Sequence, residues 1–338
     1  MIVNKFLNVL GLISLLCLIG CSSHQGFRQE EGMAWNTVYH ITYDSDKDLS
    51  DSILLVFDEI DRSLSPFNRE SVVSKINDNR SSKVDAHLSR VHTESVRINA
   101  ESKGAFDPTL APLIRAWGFG QGHEVSADTL KLDSLLSLVG ISKTRISDGI
   151  LIKENPDIEF NFSALAKGYG VDCIADMLER NGVKNYLVEV GGEIRSAGHN
   201  PRGEKWSVGI DRPVEGASVG DMVMTVCVGN SAIATSGNYR NYQDAGNKRF
   251  GHTISPVTGR SVESDVISAT IVCNTCMEAD ALATSSMVLG SEKALDLCNR
   301  LKAGVMLVRK DMSVITNPLF DSFITSSASA GESGSLKK

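Results

Sequence analysis

A run of small residues around one lysine follows a strand-like segment and constrains the fold more than any other part of this chain. Residues 158–162 alternate apolar and polar side chains as a strand does, and residues 163–172, SALAKGYGVD, come directly after them. Further apolar residues then recur at helical spacing: Ile174, Met177 and Leu178. The pattern predicts a strand followed by a helix that starts near Ser163 and carries Lys167 in its first turn.

Lys167 is unusual at that position because cations are favoured at the opposite, carboxyl end of a helix. Free N–H groups at a helix start attract anions, and small residues let a ligand approach the backbone closely. The stretch alone therefore fits a phosphate site, and it also fits an ordinary helix start with a solvated lysine.

The rest of the chain alternates between helical and strand patterns. Helical spacing occurs at residues 50–64, 71–77, 88–103, 128–139 and from about 277. Strand patterns occur at residues 35–43, 186–190, 206–211, 222–228 and 266–272, with a closing hairpin at 304–309 and 312–316. Strands with several hairpins, interrupted by helices, predict an α+β fold of mixed, largely antiparallel sheets layered with helices. We assign residues 33–325 to a single catalytic domain.

The two ends of the chain carry other signals. Residues 1–20 have the charge and apolar run of a secretory signal, and Leu18 to Cys21 resembles a bacterial lipobox, although an ordinary signal with a coincidental cysteine is the alternative. We therefore expect lipid on Cys21, a linker at 21–32 and an extracytoplasmic protein anchored to the inner or outer membrane. Residues 326–338 predict a disordered tail. A net charge of −7 without a basic run argues against nucleic acid as a partner.

Oxygen ligands for a hard cation are spaced along one helical pattern. Asp280 and Thr284 stand four residues apart and would share one face of a helix. A carboxylate and a hydroxyl so placed suit Mg²⁺, whereas the alternative is a first-turn aspartate with a packed threonine. Cys273 and Cys276 have CxxC spacing, but a second pair for zinc is missing, so we expect packing cysteines, with a local disulfide as the alternative.

Several turns could add polar groups to such a site. His252 precedes the turn ISPVTG and is a candidate general base, Thr235-Ser236-Gly237 is expected to form a phosphate-binding turn, and Asp107 before Pro108 should aim its carboxylate out of its turn. Each also fits ordinary turn chemistry. Residues 216–220 spell GxSxG, but a strand pattern follows them, which predicts a hairpin loop rather than a nucleophile elbow.

Taken in order, these pieces resemble the ApbE family, the FAD:protein FMN transferases. The matching motifs span about residues 33–290 and read NTVYHI, SLSPF, AFDPT, FNFSALAKGYGVD, EVGGEIRSAG, ATSGNYR, HTISPVTG and EADALAT. The resemblance implies an ApbE-like, T-fold-like domain that uses Mg²⁺ to transfer FMN from FAD to a Ser or Thr hydroxyl. The implied partners are extracytoplasmic flavoprotein subunits of membrane electron-transfer complexes. The alternatives are an FAD pyrophosphatase with the same pocket and a flavin-binding lipoprotein without catalysis.

The resemblance also implies roles for individual residues. The metal ligands would be Asp280, Thr284 and the backbone oxygen of Ala164, and the catalytic residues would be His252 and Lys167. Asn161 stands where the family often has aspartate, and Trp35 where many members have methionine. The residues implied in FAD binding are Trp35, Phe67, Ala105, Phe106, Asp107, Asn161, Lys167 and Ile254.

Overall fold

The structure is a computed structural model that describes residues 26–119, 129–214, 221–237, 242–245, 248–251 and 253–324. The strands are β1 (Phe27–Ala34), β2 (Thr37–Asp44), β3 (Thr144–Ser147), β4 (Ile150–Lys153), β5 (Tyr186–Val190), β6 (Glu193–Ala197), β7 (Ser207–Asp211), β8 (Met222–Cys227), β9 (Ser231–Gly237), β10 (Tyr242–Ala245), β11 (Lys248–Gly251), β12 (Val266–Cys273), β13 (Gly304–Arg309) and β14 (Val314–Thr316). The helices are α1 (Ser50–Leu64), α2 (Val72–Asn77), α3 (Ala86–Glu101), α4 (Ala111–Ala116), α5 (Thr129–Leu136), α6 (Ala166–Arg180), α7 (Cys276–Leu289), α8 (Ser291–Arg300) and α9 (Pro318–Asp321).

An eight-stranded sheet forms the centre of the fold, in the order β1-β2-β5-β6-β9-β12-β13-β14. Every neighbouring pair in it is antiparallel. One face packs against helices α1, α3, α6 and α7, because the apolar residues of its strands alternate with polar ones and so share that face. The predicted α+β class with largely antiparallel sheets is therefore confirmed.

The opposite face of the sheet is covered over part of its width. A second apolar cluster joins Ile194, Ile233 and Val272 of the sheet to Trp206 and Ile210 of the β7–β8 hairpin. The predicted loop at 216–220 lies outside the described residues, but the strands on either side of it pair as a hairpin.

Two tight turns lie next to each other at one end of the strands of the central sheet. Trp35 and Asn36 join β1 to β2 with φ values of 49° and 61°, and Gly191 and Gly192 join β5 to β6 with φ values of 61° and 97°. Two left-handed residues in a row suit the twist of antiparallel strands, and glycine adopts this conformation without strain. Since β2 pairs with β5, both turns lie side by side.

The predicted strand at 158–162 is wrong. Ile158, Phe160 and Phe162 are buried and their neighbours are not, so the alternating pattern is real. However, the backbone N–H and C=O of Phe160 bond the side-chain amide of Asn77, each at 2.8 Å, instead of a neighbouring strand. The segment is extended chain held by a side chain.

The predicted signal at 1–20, Cys21 and the tail at 326–338 lie outside the described residues. The predicted linker at 21–32 is described from residue 26 onwards, and its residues 27–32 belong to strand β1, so the central sheet begins before residue 33. Among the helices that the structure does describe, none is both long enough and apolar enough to cross a membrane.

Candidate active site

A cavity of about 470 Å³ opens at the end of the sheet where the two turns lie. Helices α6 and α7 form one side of it, and the ends of β9 and of the β5–β6 turn form another. The predicted site residues that line it are Ala105, Phe106, Asp107, Asn161, Ala164, Lys167, Ile254, Asp280 and Thr284. The fold therefore brings together residues from distant parts of the sequence.

A second cavity, also of about 470 Å³, adjoins the first and shares Ser163 and Lys167 with it. Trp35 and Phe67, the remaining predicted binding residues, line this second space. The Phe67 side chain is 56% exposed, whereas the Trp35 indole packs edge-on against Phe57 and donates a 3.3 Å hydrogen bond to its carbonyl oxygen. Lys167 thus lies where the two cavities meet.

Helix α6 begins at Ala166, three residues later than predicted. The side-chain oxygen of Asn161 accepts a 2.9 Å hydrogen bond from the N–H of Ser163, and Leu165 has a non-helical φ of −155°, so residues 163–165 form a turn before the helix. This turn presents Ala164 to the first cavity. Lys167 is the second residue of the helix, within the first turn as predicted.

Lys167 belongs to a buried charge cluster with two carboxylates. Its Nζ lies 2.5 Å from Oε2 of Glu193, the first residue of β6. Burial opposes the charge on Lys167, but the neighbouring charges of Glu193 and Asp280 outweigh it and raise the pKa of the lysine. Lys167 is therefore held as a cation in the first turn of α6.

The two carboxylates of the cluster repel each other and are desolvated. Burial raises the pKa of Glu193 most, the charge of Asp280 raises it further, and Lys167 opposes both effects. Burial likewise raises the pKa of Asp280, against the effects of Lys167 and of the Gly168 N–H, which donates to Asp280 Oδ2 at 3.1 Å. When both acids are ionised they carry one more negative charge than the lysine balances, so a cation beside them would favour their ionised forms.

Thr284 lies one turn after Asp280 on α7, on the same side of the helix. Its hydroxyl is 3.3 Å from the hydroxyl of Ser236 near the end of β9. The segment Thr235-Ser236-Gly237 is thus strand and not the predicted turn, because β12 pairs with it along its whole length.

Asp107 also departs from its prediction. Its backbone is extended, as expected before proline, but the carboxylate turns into the protein and does not point out of the turn. One oxygen accepts from the N–H and the hydroxyl of Thr109, and the other accepts from Ile141 N–H and the Asn99 side chain. Asp107 therefore shapes the wall of the cavity through its local hydrogen bonds.

The turn after His252 is anchored by apolar packing. Ile254 is buried against Leu113, Trp117 and Val139, and the Trp117 indole donates a 2.7 Å hydrogen bond to the carbonyl of Gly259. His252 itself lies outside the described residues. Thr253, the next residue, lines the first cavity.

Glu193 belongs to the motif EVGGEIRSAG, but it was not among the predicted site residues. Its position could have indicated a role, since an acid that directly follows a Gly-Gly hairpin turn lies at the same end of the sheet as that turn.

Among the described residues, no group of three or more His, Cys, Asp or Glu side chains is arranged to hold a metal ion. The predicted set of metal ligands is of another kind, since it contains a single carboxylate with a hydroxyl and a carbonyl oxygen. Cys273 and Cys276, the cysteines of the CxxC motif, are free thiols.

Comparisons with known proteins identify the family of this chain. The ApbE family model matches residues 35–308. The chain is 35% identical over 316 residues to the FAD:protein FMN transferase of Vibrio cholerae serotype O1, which covers 89% of this chain and 93% of that protein. It is 33% identical to the FAD:protein FMN transferase of Escherichia coli K12, with 82% of each chain covered.

Solved structures give the same result. The flavin transferase ApbE from Vibrio cholerae superposes with a TM-score of 0.79 at 33% identity, covering 88% of this chain and 99% of that one. The ApbE protein from Thermotoga maritima superposes with a TM-score of 0.80 at 25% identity, covering 89% of this chain and 100% of that one. The resemblance predicted from the sequence is confirmed, and the protein belongs to the ApbE family.

Proposed function

We propose that this enzyme is an FAD:protein FMN transferase that uses Mg²⁺ and modifies a Ser or Thr hydroxyl of a target flavoprotein. The observation that carries the proposal is the cluster of Lys167, Glu193 and Asp280 in the first cavity, whose lysine lies where the two cavities meet. A dinucleotide has two large ends joined by a charged pyrophosphate, and the cluster stands between two spaces that could take those ends. The names of the relatives support the same activity.

The reaction is a displacement at the flavin-side phosphorus of FAD. The target hydroxyl oxygen forms a new P–O bond, the bond from that phosphorus to the bridging oxygen breaks, and AMP leaves with the bridging oxygen. The hydroxyl proton must pass to a base, for which His252 is our candidate. Lys167, held as a cation, would neutralise charge on the pyrophosphate.

The residues present fit a Mg²⁺ ion. Asp280 is a buried carboxylate whose pKa is raised by burial, so a cation beside it would favour its ionised form. Thr284 and Ala164 add neutral oxygens on the same cavity wall, and Mg²⁺ prefers oxygen ligands while keeping several waters or phosphate oxygens. We assign these three residues to the ion. When bound, Mg²⁺ would stabilise charge on the non-bridging phosphate oxygens.

The two ends of FAD would occupy different cavities. Phe67 and Trp35 offer aromatic surface to the isoalloxazine ring in one cavity, while Ala105, Phe106, Asp107 and Ile254 form walls of the other, where we place the adenosine half. Asn161 lines the first cavity as a neutral group in a position where the family often has an acid. Lipid on Cys21 would hold the enzyme at a membrane surface, on the extracytoplasmic side, near flavoprotein subunits of electron-transfer complexes.

The test is to incubate the purified protein with FAD, Mg²⁺ and a candidate target flavoprotein. Covalent flavin fluorescence on the target in a denaturing gel is the expected result. Release of AMP with no labelled target would favour the pyrophosphatase instead, and bound FAD with neither product would refute both enzymatic functions.

A matched pair of variants tests the metal assignment. Asp280→Ala should abolish turnover at limiting Mg²⁺, because the charged ligand is lost. Asp296→Ala removes an exposed carboxylate from the neighbouring helix α8 and should leave turnover unchanged. Full activity of Asp280→Ala under these conditions would contradict the assignment.

A further inference from the structure

We propose that Asp172 is a positioning residue that holds helix α7 so that Asp280 and Thr284 face the cavity. Asp172 lies on α6 and is buried. Its Oδ1 accepts a 2.9 Å hydrogen bond from the N–H of Cys276, and its Oδ2 accepts one of 2.9 Å from the N–H of Met277. The inference rests on the proposed function, because it concerns the residues assigned to Mg²⁺.

The start of α7 needs partners from outside its own sequence. The first N–H groups of a helix have no carbonyl partner within it. The side chain of Thr275 accepts from Glu278 N–H at 3.4 Å, and Asp172 takes the two preceding donors, at Cys276 and Met277, at shorter distances. A carboxylate at this end also complements the helix dipole. The direction of α7 is therefore set by a side chain of α6.

A third hydrogen bond joins the same two helices, with the donor now on α6 and the acceptor on α7. Gly168, one turn before Asp172 on α6, donates its N–H to Oδ2 of Asp280 on α7. The backbones are so close here that a Cβ on Gly168 would lie 2.3 Å from the carbonyl oxygen of Cys276. Each helix thus contributes a carboxylate that accepts main-chain N–H groups of the other, and the place of the Asp280 carboxylate depends on both contacts.

Arg195 connects this contact to the sheet. Its Nη1 lies 3.2 Å from Asp172 Oδ1 and 2.8 Å from Asp176 Oδ1, and its side chain is 18% exposed. Arg195 belongs to β6 and stands two residues after Glu193, so the strand that carries Glu193 also braces Asp172. Asp176 shares the arginine but makes no hydrogen bond to α7 that the structure shows, which makes it a matched control.

The test compares Asp172→Asn with Asp176→Asn. Asparagine has one carbonyl oxygen and turns an NH₂ group towards an N–H, so it keeps one of the two hydrogen bonds to α7. Loss of a group that orients a metal ligand typically weakens metal affinity by about tenfold or more. In Asp172→Asn we expect the Mg²⁺ concentration for half-maximal FMN transfer to rise by that factor, with the maximal rate largely recovered at saturating Mg²⁺.

Calorimetric titration of MgCl₂ into the FAD-loaded protein gives a readout independent of turnover, and the affinity should fall by the same factor. Asp176→Asn should keep the wild-type Mg²⁺ requirement in both measurements. An unchanged requirement in Asp172→Asn, or an equal rise in Asp176→Asn, would overturn the proposal.

If Asp172→Asn does not fold, Cys276→Pro tests the same contact by removing the donor on α7. Proline lacks the N–H that Asp172 accepts and is well suited to the first position of a helix. We expect a smaller rise in the Mg²⁺ requirement, and no rise would refute the positioning role. A wild-type protein that binds Mg²⁺ but labels no target would refute the proposed function alone, while the calorimetric comparison still decides on Asp172.

Discussion

Gly168→Ala should lower the rate of flavin labelling far more than the free energy of unfolding, because the added methyl group would push α7 away from α6. The added Cβ would lie 2.3 Å from Cys276 O and 2.9 Å from Asp280 Cβ, whereas ordinary contact begins near 3.4 Å. The obstructing atom is main chain, which cannot rotate away. The two helices must therefore move apart by about 1 Å at the level of Asp280.

The free energy of unfolding should change by a small amount, since the helix preference of alanine and the cost of overpacking oppose each other. Alanine stabilises a helix interior by about 1 kcal/mol relative to glycine, and overpacking costs about 1–3 kcal/mol. We expect the free energy of unfolding to fall by no more than about 2 kcal/mol. A displacement of about 1 Å in a reacting geometry, by contrast, lowers the rate by about a hundredfold.

The assays are urea unfolding and the initial rate of flavin labelling of the target. Gly170→Ala is the control on the same helix, because its Cβ would meet the Trp35 indole at 2.1 Å and displace a side chain instead of a backbone. That variant should change tryptophan fluorescence and weaken FAD binding but keep the Mg²⁺ requirement. A wild-type labelling rate in Gly168→Ala, or a raised Mg²⁺ requirement in both variants, would refute the reasoning.

Three further changes test other parts of the molecule. Burial lowers the pKa of His92 below its usual 6.5, so the unfolded chain binds the proton first and the free energy of unfolding should fall as the pH drops below that value. In urea unfolding between about pH 7.5 and 5, His92→Gln should lose this part of the decline. Parallel declines in the variant and the wild type would contradict the prediction. Phe67→Ala should weaken FAD binding in a fluorescence titration and change unfolding by less than about 0.5 kcal/mol, and unchanged affinity would exclude stacking there. Asn317→Ala removes four hydrogen bonds, three of them buried, and should destabilise the fold by about 3 kcal/mol without changing the labelling rate, which thermal melting and the gel assay would check.

Local patterns were the most predictable part of the fold. The bounds of α1 and β5 match the predicted 50–64 and 186–190, because the apolar spacing of each element is set by its own burial. The segment at 158–162, which was wrongly predicted as a strand, has a local pattern as clear as that of β5. Its partner is the side chain of Asn77, and no spacing within the segment reveals that.

The site was predictable in membership more than in geometry. Residue types and motif order named Lys167, Asp280, Thr284 and six other residues that line the first cavity. The carboxylate of Asp107 could not be oriented from the sequence, because its partners Asn99 and Ile141 come from separate elements. Glu193 was passed over for the same reason: its importance arises from Lys167, which a different element brings within 2.5 Å.

The order of strands in the central sheet has a consequence for how the chain folds. The β1–β2 hairpin is local, but β2 reaches the rest of the sheet through β5, where Tyr43 pairs with Tyr186. Contacts between residues so distant in sequence form slowly, because closing the intervening chain must precede any gain from pairing. During synthesis the apolar residues Tyr39, Ile41 and Tyr43 must therefore wait until β5 has emerged. Until then, this early part of the chain should be the segment most open to aggregation and to chaperone binding.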